Sequence, residues 1–332
     1  MLAGGYGFCK PELMRILVIG ANGFVGRHVV ASAIARHGVQ AVVAGVRRPV
    51  DAAILPPSVE QRVMDATDRQ SLMAALGGVT HIVNSVMGSD HAIVESARTT
   101  LAALEIGAVS RLVCLSSIAV YGDKSGVLYP ADAPGKPTDG YGVAKIRAEQ
   151  IIADGRASGF VFLRPGLVYG PGSALWTLRI ARLLKAGRLG DMGANGEGVC
   201  NLVHVEDVAD AVIAACDAPQ ADGEAYNLAM PSPPTWNAYL SEFSEALSLK
   251  PGRISPFRLR VERALAYPLK AAELAGGKLG IAVPEAITPG LARLLSHKVR
   301  YDSTATSLLL PQWKDYHEGV IQSALWAKQA LA

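Results

Sequence analysis

Short unbroken apolar runs alternate along this chain with longer segments whose apolar residues recur at helical spacing. Arg15-Ile16-Leu17-Val18-Ile19 leads into a helical stretch from Arg27 to Arg36, and Ala41-Val42-Val43-Ala44 follows. Val63-Met64 ends a further strand, with Asp68 and Ser71 supplying helix-start chemistry behind it. His81 to Val86 precedes a helix through Ala108, Leu112 to Leu115 precedes a helix from Tyr141 through Ile152, and Phe160 to Leu163 comes next. Apolar runs this short and unalternating fit strands covered on both faces. Strands and helices in strict alternation predict an α/β fold built on a doubly wound parallel sheet.

After Tyr169 the pattern changes. Leu175 to Leu184 reads as an amphipathic helix bearing Trp176, Arg179 and Arg182, and a glycine-rich stretch runs from Gly187 to Gly198. Helix Val208 to Cys216 and strand Ala225 to Leu228 have the character of the first half. From Pro231 onward, helices are separated by Pro and Gly, with a last helix from Glu318 to Ala330. The expected organisation is a sheet domain over 14–172, rejoined by 204–230. A smaller, mostly helical lid is expected over 173–203 and 231–332, and a disordered leader over 1–13.

Composition narrows the function classes. Across 332 residues the formal charge is +3, with no long basic run, so a nucleic-acid partner is not expected. No apolar run is long enough to span a bilayer, and no membrane partner is expected. Cys9, Cys114, Cys200 and Cys216 are far apart, which suits reduced thiols in a cytoplasmic protein and indicates neither disulfides nor a metal site.

Ligands bind doubly wound sheets outside the carboxyl ends of the strands. The residues that follow the predicted strands should therefore converge on one edge. Gly20-Ala21-Asn22-Gly23-Phe24-Val25-Gly26 links a strand to a helix. Gly20 allows the tight turn, Gly23 lets a pyrophosphate approach the backbone, and Gly26 lets helix and strand pack closely, which makes this a dinucleotide turn. Arg47 and Arg48 follow the second strand, where an NAD site usually carries an acid; two guanidinium groups suit the 2′-phosphate of NADP, with NAD as the alternative. Asp65 and Ala66 are placed to meet the adenine edge. Asn84, Ser85, Val86 and Ser116 follow later strands and complete the expected cofactor set.

The proton chemistry falls on Ser117, Tyr141 and Lys145. Tyr141 and Lys145 are four apart and share a helix face. An ammonium near a phenol lowers the phenol pKa, which would make Tyr141 a usable acid or base near neutral pH.

In these motifs the sequence resembles the extended short-chain dehydrogenase/reductase superfamily, in its NAD-dependent epimerase/dehydratase branch. The resemblance rests on Gly20 to Gly26, Ser116-Ser117 with Val120-Tyr121-Gly122, and Tyr141 with Lys145. It continues in Arg164-Pro165 with Val168 to Gly172, Val203 to Val208, and Glu224 to Asn227, all in the family's order over roughly Met14 to Ala229. It implies a Rossmann-type fold, Tyr141 as general acid/base, Lys145 on the nicotinamide ribose, and Ser117 on the substrate oxygen. Pro165, Gly166, Leu167 and Val168 would lie along the nicotinamide. Tyr169, Trp176 and Asn201 are candidate substrate residues, although Tyr169 and Trp176 equally suit packing between domains. A homodimer is common in the superfamily.

Two departures narrow the reaction. Ile118 and Ala119 follow Ser117 where the branch's dehydratases carry an acidic pair, so elimination is not expected. Cys200 stands where many nucleotide-sugar enzymes carry a diphosphate-binding arginine, which argues against a nucleotide-diphosphate sugar; Arg179, Arg182 and Arg188 could replace it but read first as a solvated helix face. His204, between apolar neighbours, reads as structural. The expected activity is hydride transfer to or from a secondary alcohol or ketone of a small-molecule substrate. The alternatives are a sugar epimerase with tightly held NAD and a non-catalytic dinucleotide sensor.

Overall fold

The computed structural model describes residues 14–137, 139–265, 268 and 287–332. The leader expected over 1–13, with Cys9, lies outside them.

The first strands are β1 (Ile16–Ile19), β2 (Val42–Val46), β3 (Glu60–Val63), β4 (His81–Asn84) and β5 (Arg111–Leu115). After a short strand β6 (Gly126–Leu128) come β7 (Phe160–Pro165), β8 (Leu167–Tyr169), β9 (Leu202–His204) and β10 (Ala225–Leu228). Seven of them form one parallel sheet in the order β10-β7-β5-β4-β1-β2-β3. Its register sets Ile19 beside both Gly45 and Asn84, and Asn84 beside Cys114. The carboxyl ends therefore share one edge, and the turns that follow them meet there.

Helices cover both faces, as unalternating strands require. The helices α1 (Phe24–His37), α2 (Arg69–Ala74), α3 (Asp90–Glu105), α4 (Gly140–Gly155), α5 (Arg179–Lys185) and α6 (Val205–Asp217) follow in chain order. On one face α1 packs with α6 over Val18, Val30, Val83, Val113 and Val212. On the other, α3 packs with α4 over Leu17, Ile82, Leu112, Ile152 and Phe162. Asp68 caps α2 by accepting from the Ser71 amide at 2.7 Å, and Asp139 caps α4 by accepting from the Gly142 amide at 2.8 Å. Both α6 and β10 belong to this sheet layer, so the chain leaves it after β7 and returns.

A second core forms around Trp236, Tyr239, Leu240 and Phe243, all under 2% exposed, on α7 (Trp236–Ala246). The C-terminal helix Tyr316–Ala330, α5 and α8 (Pro256–Ala264) enclose it. The helix expected over Leu175–Leu184 is interrupted at its start, because Ala174–Leu178 winds as a π-turn before α5. The Thr177 hydroxyl donates to the Gly170 carbonyl at 3.0 Å and accepts from its amide at 3.1 Å. Beside it the Leu178 amide donates to the Ser173 carbonyl, five residues back, the bond that defines a π-turn.

Two small parallel pairs tie the units together. Strand β8 pairs with β9, and β6 pairs with β11 (Val299–Tyr301), a contact between segments far apart in sequence.

Candidate active site

The glycine turn is built as its spacing predicts. Gly20 has φ +79°, a conformation L side chains rarely adopt. A Cβ on Gly26 would stand 2.1 Å from the Gly20 carbonyl oxygen, so α1 can approach β1 this closely only with glycine there. No side chain caps the amino end of α1 behind Gly23, which leaves its first amides to an anion. Asn22 is exposed, and Phe24 and Val25 are half-buried, around this opening. These features fit a dinucleotide pyrophosphate.

Arg47 and Arg48 stand exposed after β2. Asp65 follows β3, and hydrogen bonds from the Thr67 amide and hydroxyl, both 2.8 Å, hold its carboxyl below the usual range. The positive charge of Arg47 contributes in the same direction. The Ala66 carbonyl accepts from Thr99 on α3 at 2.6 Å. Asn84 is buried and accepts from the Val86 amide at 3.1 Å, while the Ser85 hydroxyl donates to the Ile19 carbonyl at 2.6 Å. These bonds fix the loops at the sheet edge and leave Arg47 and Arg48 free to meet a ligand.

Ser116 and Ser117 end β5, both buried, and the Ser116 hydroxyl is a buried polar atom without a partner. Tyr141 is the second residue of α4, and the nearby Ser117 hydroxyl favours its phenolate. One turn on, Lys145 is 5% exposed; its Nζ donates to the Leu115 carbonyl at 2.6 Å and reaches the Val86 carbonyl at 3.5 Å. Burial brings its pKa down to about 8.

One expectation fails here. The phenol of Tyr141 lies above the ordinary tyrosine value, not below it, because burial outweighs the Ser117 hydrogen bond. Lys145 Nζ is 5.7 Å from the Tyr141 ring centroid and is turned toward the end of β5.

Behind Lys145 lies a cavity of about 20 Å³, lined by Asn84, Ser96, Cys114, Ser116 and Glu149 among others. It has room for one water, and enough polar groups to bind it. Glu149, one turn beyond Lys145, pairs with Arg164 through two hydrogen bonds of 2.9 and 2.7 Å. Arg164 also donates to the Tyr121 hydroxyl at 2.8 Å, and Tyr121 donates to Asn227 Oδ1 at 2.7 Å. The sequence reading assigned no role to this buried chain. Its only local signal was the four-residue step from Lys145 to Glu149.

The remaining candidates lie toward the second core. A Cβ on Gly166 would meet the Asn201 carbonyl oxygen at 2.3 Å, so the two segments cross with no room between them. Pro165 is buried at the end of β7. Leu167 packs into the second core and Val168 against the first. Tyr169 takes the packing alternative: it is 2% exposed, with its ring edge-on to His204 at 5.2 Å and to Tyr239 at 6.5 Å. Trp176 is half-buried in the π-turn, 6.2 Å from Trp236. Asn201 is buried and donates to the Val299 carbonyl at 2.9 Å, while its Oδ1 has no partner.

His204 caps α6 by accepting from the Glu206 amide at 3.3 Å, and burial pushes its pKa down to about 4, which suits the structural reading. Cys200 is fully buried in the second core, and Arg188 is ion-paired with Glu262 of α8. Cys114 and Cys216 are buried free thiols, and the described residues contain no cluster of metal-ligating side chains.

A parallel sheet with a glycine turn at β1 and a Ser-Tyr-Lys set after β5 defines an enzyme of the extended short-chain dehydrogenase/reductase type. The chain belongs to the NAD dependent epimerase/dehydratase family, whose model matches residues 16–229. It is 29% identical over 238 residues to a UDP-glucose 4-epimerase of Azospirillum brasilense, covering 60% of this chain and 68% of that one. It is 28% identical over 275 residues to a 3-diazoavenalumate denitrifying reductase of a Streptomyces species, covering 74% and 86%. The solved structure of MoeE5 in complex with UDP-glucose and NAD superposes with a TM-score of 0.70 at 22% identity, over 96% of this chain and 100% of that one. That structure shares the fold.

Proposed function

We propose that the protein is an NADP(H)-dependent oxidoreductase that interconverts a ketone and a secondary alcohol. The observation that carries this reading is the placement of Tyr141. Its phenol stands near enough to Ser117, at the end of β5, for that hydroxyl to act on its protonation, and the buried Lys145 sits one helical turn behind it. The uncapped end of α1 and the turn Gly20 to Gly26 would hold the pyrophosphate, Arg47 and Arg48 the 2′-phosphate, and Asp65 and Ala66 the adenine. Asn84 to Val86, Lys145 and Pro165 to Val168 would border the nicotinamide end. The nicotinamide supplies or accepts the hydride when bound.

In the reductive direction the Tyr141 hydroxyl donates its proton to the substrate oxygen, and Ser117 orients that oxygen by a hydrogen bond. A raised phenol pKa keeps Tyr141 protonated before the reaction, as a donor must be. Lys145, held by Leu115, keeps a positive charge close to the phenolate that the transfer leaves. Oxidation runs the same steps in reverse.

A second reading is a 4-epimerase that oxidises and re-reduces one carbon with retained NAD; the Azospirillum relative favours it. Against it, Cys200 stands buried where such enzymes carry an arginine, and of the three replacement arginines Arg188 is held by Glu262.

The test is a titration of NADPH and NADH by nicotinamide fluorescence, with wild type and an Arg47→Ala, Arg48→Ala double variant. Preference for NADPH that collapses in the variant supports the 2′-phosphate clamp. Equal or tighter binding of NADH refutes it and moves the assignment to the epimerase.

A further inference from the structure

Helix α8 has two usable faces, and the body of the protein occupies one. Leu259 is 3% exposed and Glu262 8% exposed, the latter ion-paired with Arg188. On the outer side Phe257 is 71% exposed, Val261 39% and Leu265, at its end, 45%. At about 100° per residue these three side chains fall within about 80° of one another, with Leu259 on the opposite side and Glu262 about 60° beyond Leu265. Arg258 and Arg260, both exposed, border the ridge on either side. From Lys250 to Leu265 the chain also carries Arg253 and Arg263, and its single acid is the Glu262 already engaged by Arg188. The outer face is an apolar ridge between cations, without an exposed carboxylate from its own stretch.

We propose that α8 is a membrane-surface anchor, which lays the Phe257-Val261-Leu265 ridge into the interface of an anionic lipid bilayer. Apolar side chains at the acyl boundary, with guanidinium groups at the phosphates on both flanks, are what such a helix requires. A bilayer answers both features at once, because its apolar layer lies directly beneath a continuous sheet of phosphate. No described helix is long and apolar enough to cross a membrane, and an interfacial helix has no need to be. Three apolar side chains give a reversible attachment whose strength depends on lipid charge and falls with salt.

The experiment is flotation of the full chain with vesicles of equal parts phosphatidylglycerol and phosphatidylcholine, against vesicles of phosphatidylcholine alone. Wild type should float with the anionic vesicles at low salt and leave them at high salt. Arg258→Gln with Arg260→Gln should lower the partition coefficient about tenfold or more, and Phe257→Ser with Val261→Ser should abolish flotation. Both variants change exposed side chains, so NADPH affinity and melting temperature should match wild type and exclude misfolding. Absence of wild-type flotation at low salt would overturn the proposal, as would equal flotation of the variants. A change of oligomeric state in the Phe257 variant without loss of flotation would assign the ridge to a second copy of the chain instead.

Discussion

Lys145 Nζ lies 2.6 Å from the carbonyl oxygen of Leu115, in a site whose burial disfavours an ammonium while the nearby Glu149 carboxylate favours it. Its pKa of about 8 is below the 10.5 of a free lysine. Between those two values the unfolded chain binds more protons at this position than the folded one, so stability at this site rises with pH. A Lys145→Met variant lacks the effect. Relative to that variant, wild type should gain on the order of 2 kcal/mol between pH 7 and pH 10 in denaturant titrations. Parallel stability profiles would show that Lys145 is not desolvated. Turnover that depends on the ammonium should fall as pH rises through about 8.

Tyr141→Phe removes the transferable proton and leaves the ring in place. Turnover should drop by about 10² to 10⁴, while the affinity for the dinucleotide stays within a few-fold of wild type. A variant that keeps most of its activity would remove Tyr141 from the chemistry and leave Ser117 without its partner.

Glu149 and Arg164 form a buried pair, 8% and 6% exposed, and Arg164 also serves Tyr121 and the Pro130 carbonyl. Glu149→Ala strands a buried guanidinium and should cost about 3–5 kcal/mol. Adding Arg164→Met removes the stranded charge, so the double variant should be less damaged than the two single losses summed. Strict additivity in urea unfolding would mean that the two side chains do not depend on one another.

Neighbouring glycines in the turn should behave differently. Gly26→Ala forces a backbone shift, since its Cβ would sit 2.1 Å from the Gly20 carbonyl oxygen; it should lose about 1–3 kcal/mol of stability together with dinucleotide affinity. At Gly23 φ is −74° and a Cβ would meet only the Gly20 carbonyl, at 3.1 Å. Gly23→Ala should therefore weaken binding and change stability by less than about 1 kcal/mol. Equal effects of both changes on melting temperature would undo this division of labour.

The sheet was legible because its evidence is local. Ile16 to Ile19, Val42 to Val46 and Leu112 to Leu115 are unalternating apolar runs, and each is buried throughout or nearly so. The glycine spacing likewise encodes a backbone geometry that the residues alone dictate. The protonation of Tyr141 was not legible, because the step from 141 to 145 gives proximity without direction. Only the fold turns the ammonium toward Leu115 and surrounds the phenol with protein. The place of Tyr169 was hidden for a similar reason, since its neighbours His204 and Tyr239 come from other segments. The chain from Glu149 to Asn227 spans α4, β7 and β10, and no window of sequence contains it.

The pairing of β6 with β11 bears on how this chain can be divided. Asn227, inside the seven-stranded sheet, donates to the carbonyls of Leu128 and Asp302, and Thr306 donates back to the Asn227 carbonyl at 2.7 Å. Residues 302 and 306 thus fill hydrogen bonds in the seven-stranded sheet layer. A fragment ended after β10, the natural cut for anyone isolating that layer, would leave β6 without its neighbour and Asn227 with vacant partners. The described contacts thus make the two units share hydrogen bonds at Asn227 and a strand pair at β6, so a cut after β10 removes bonds from the layer it is meant to isolate.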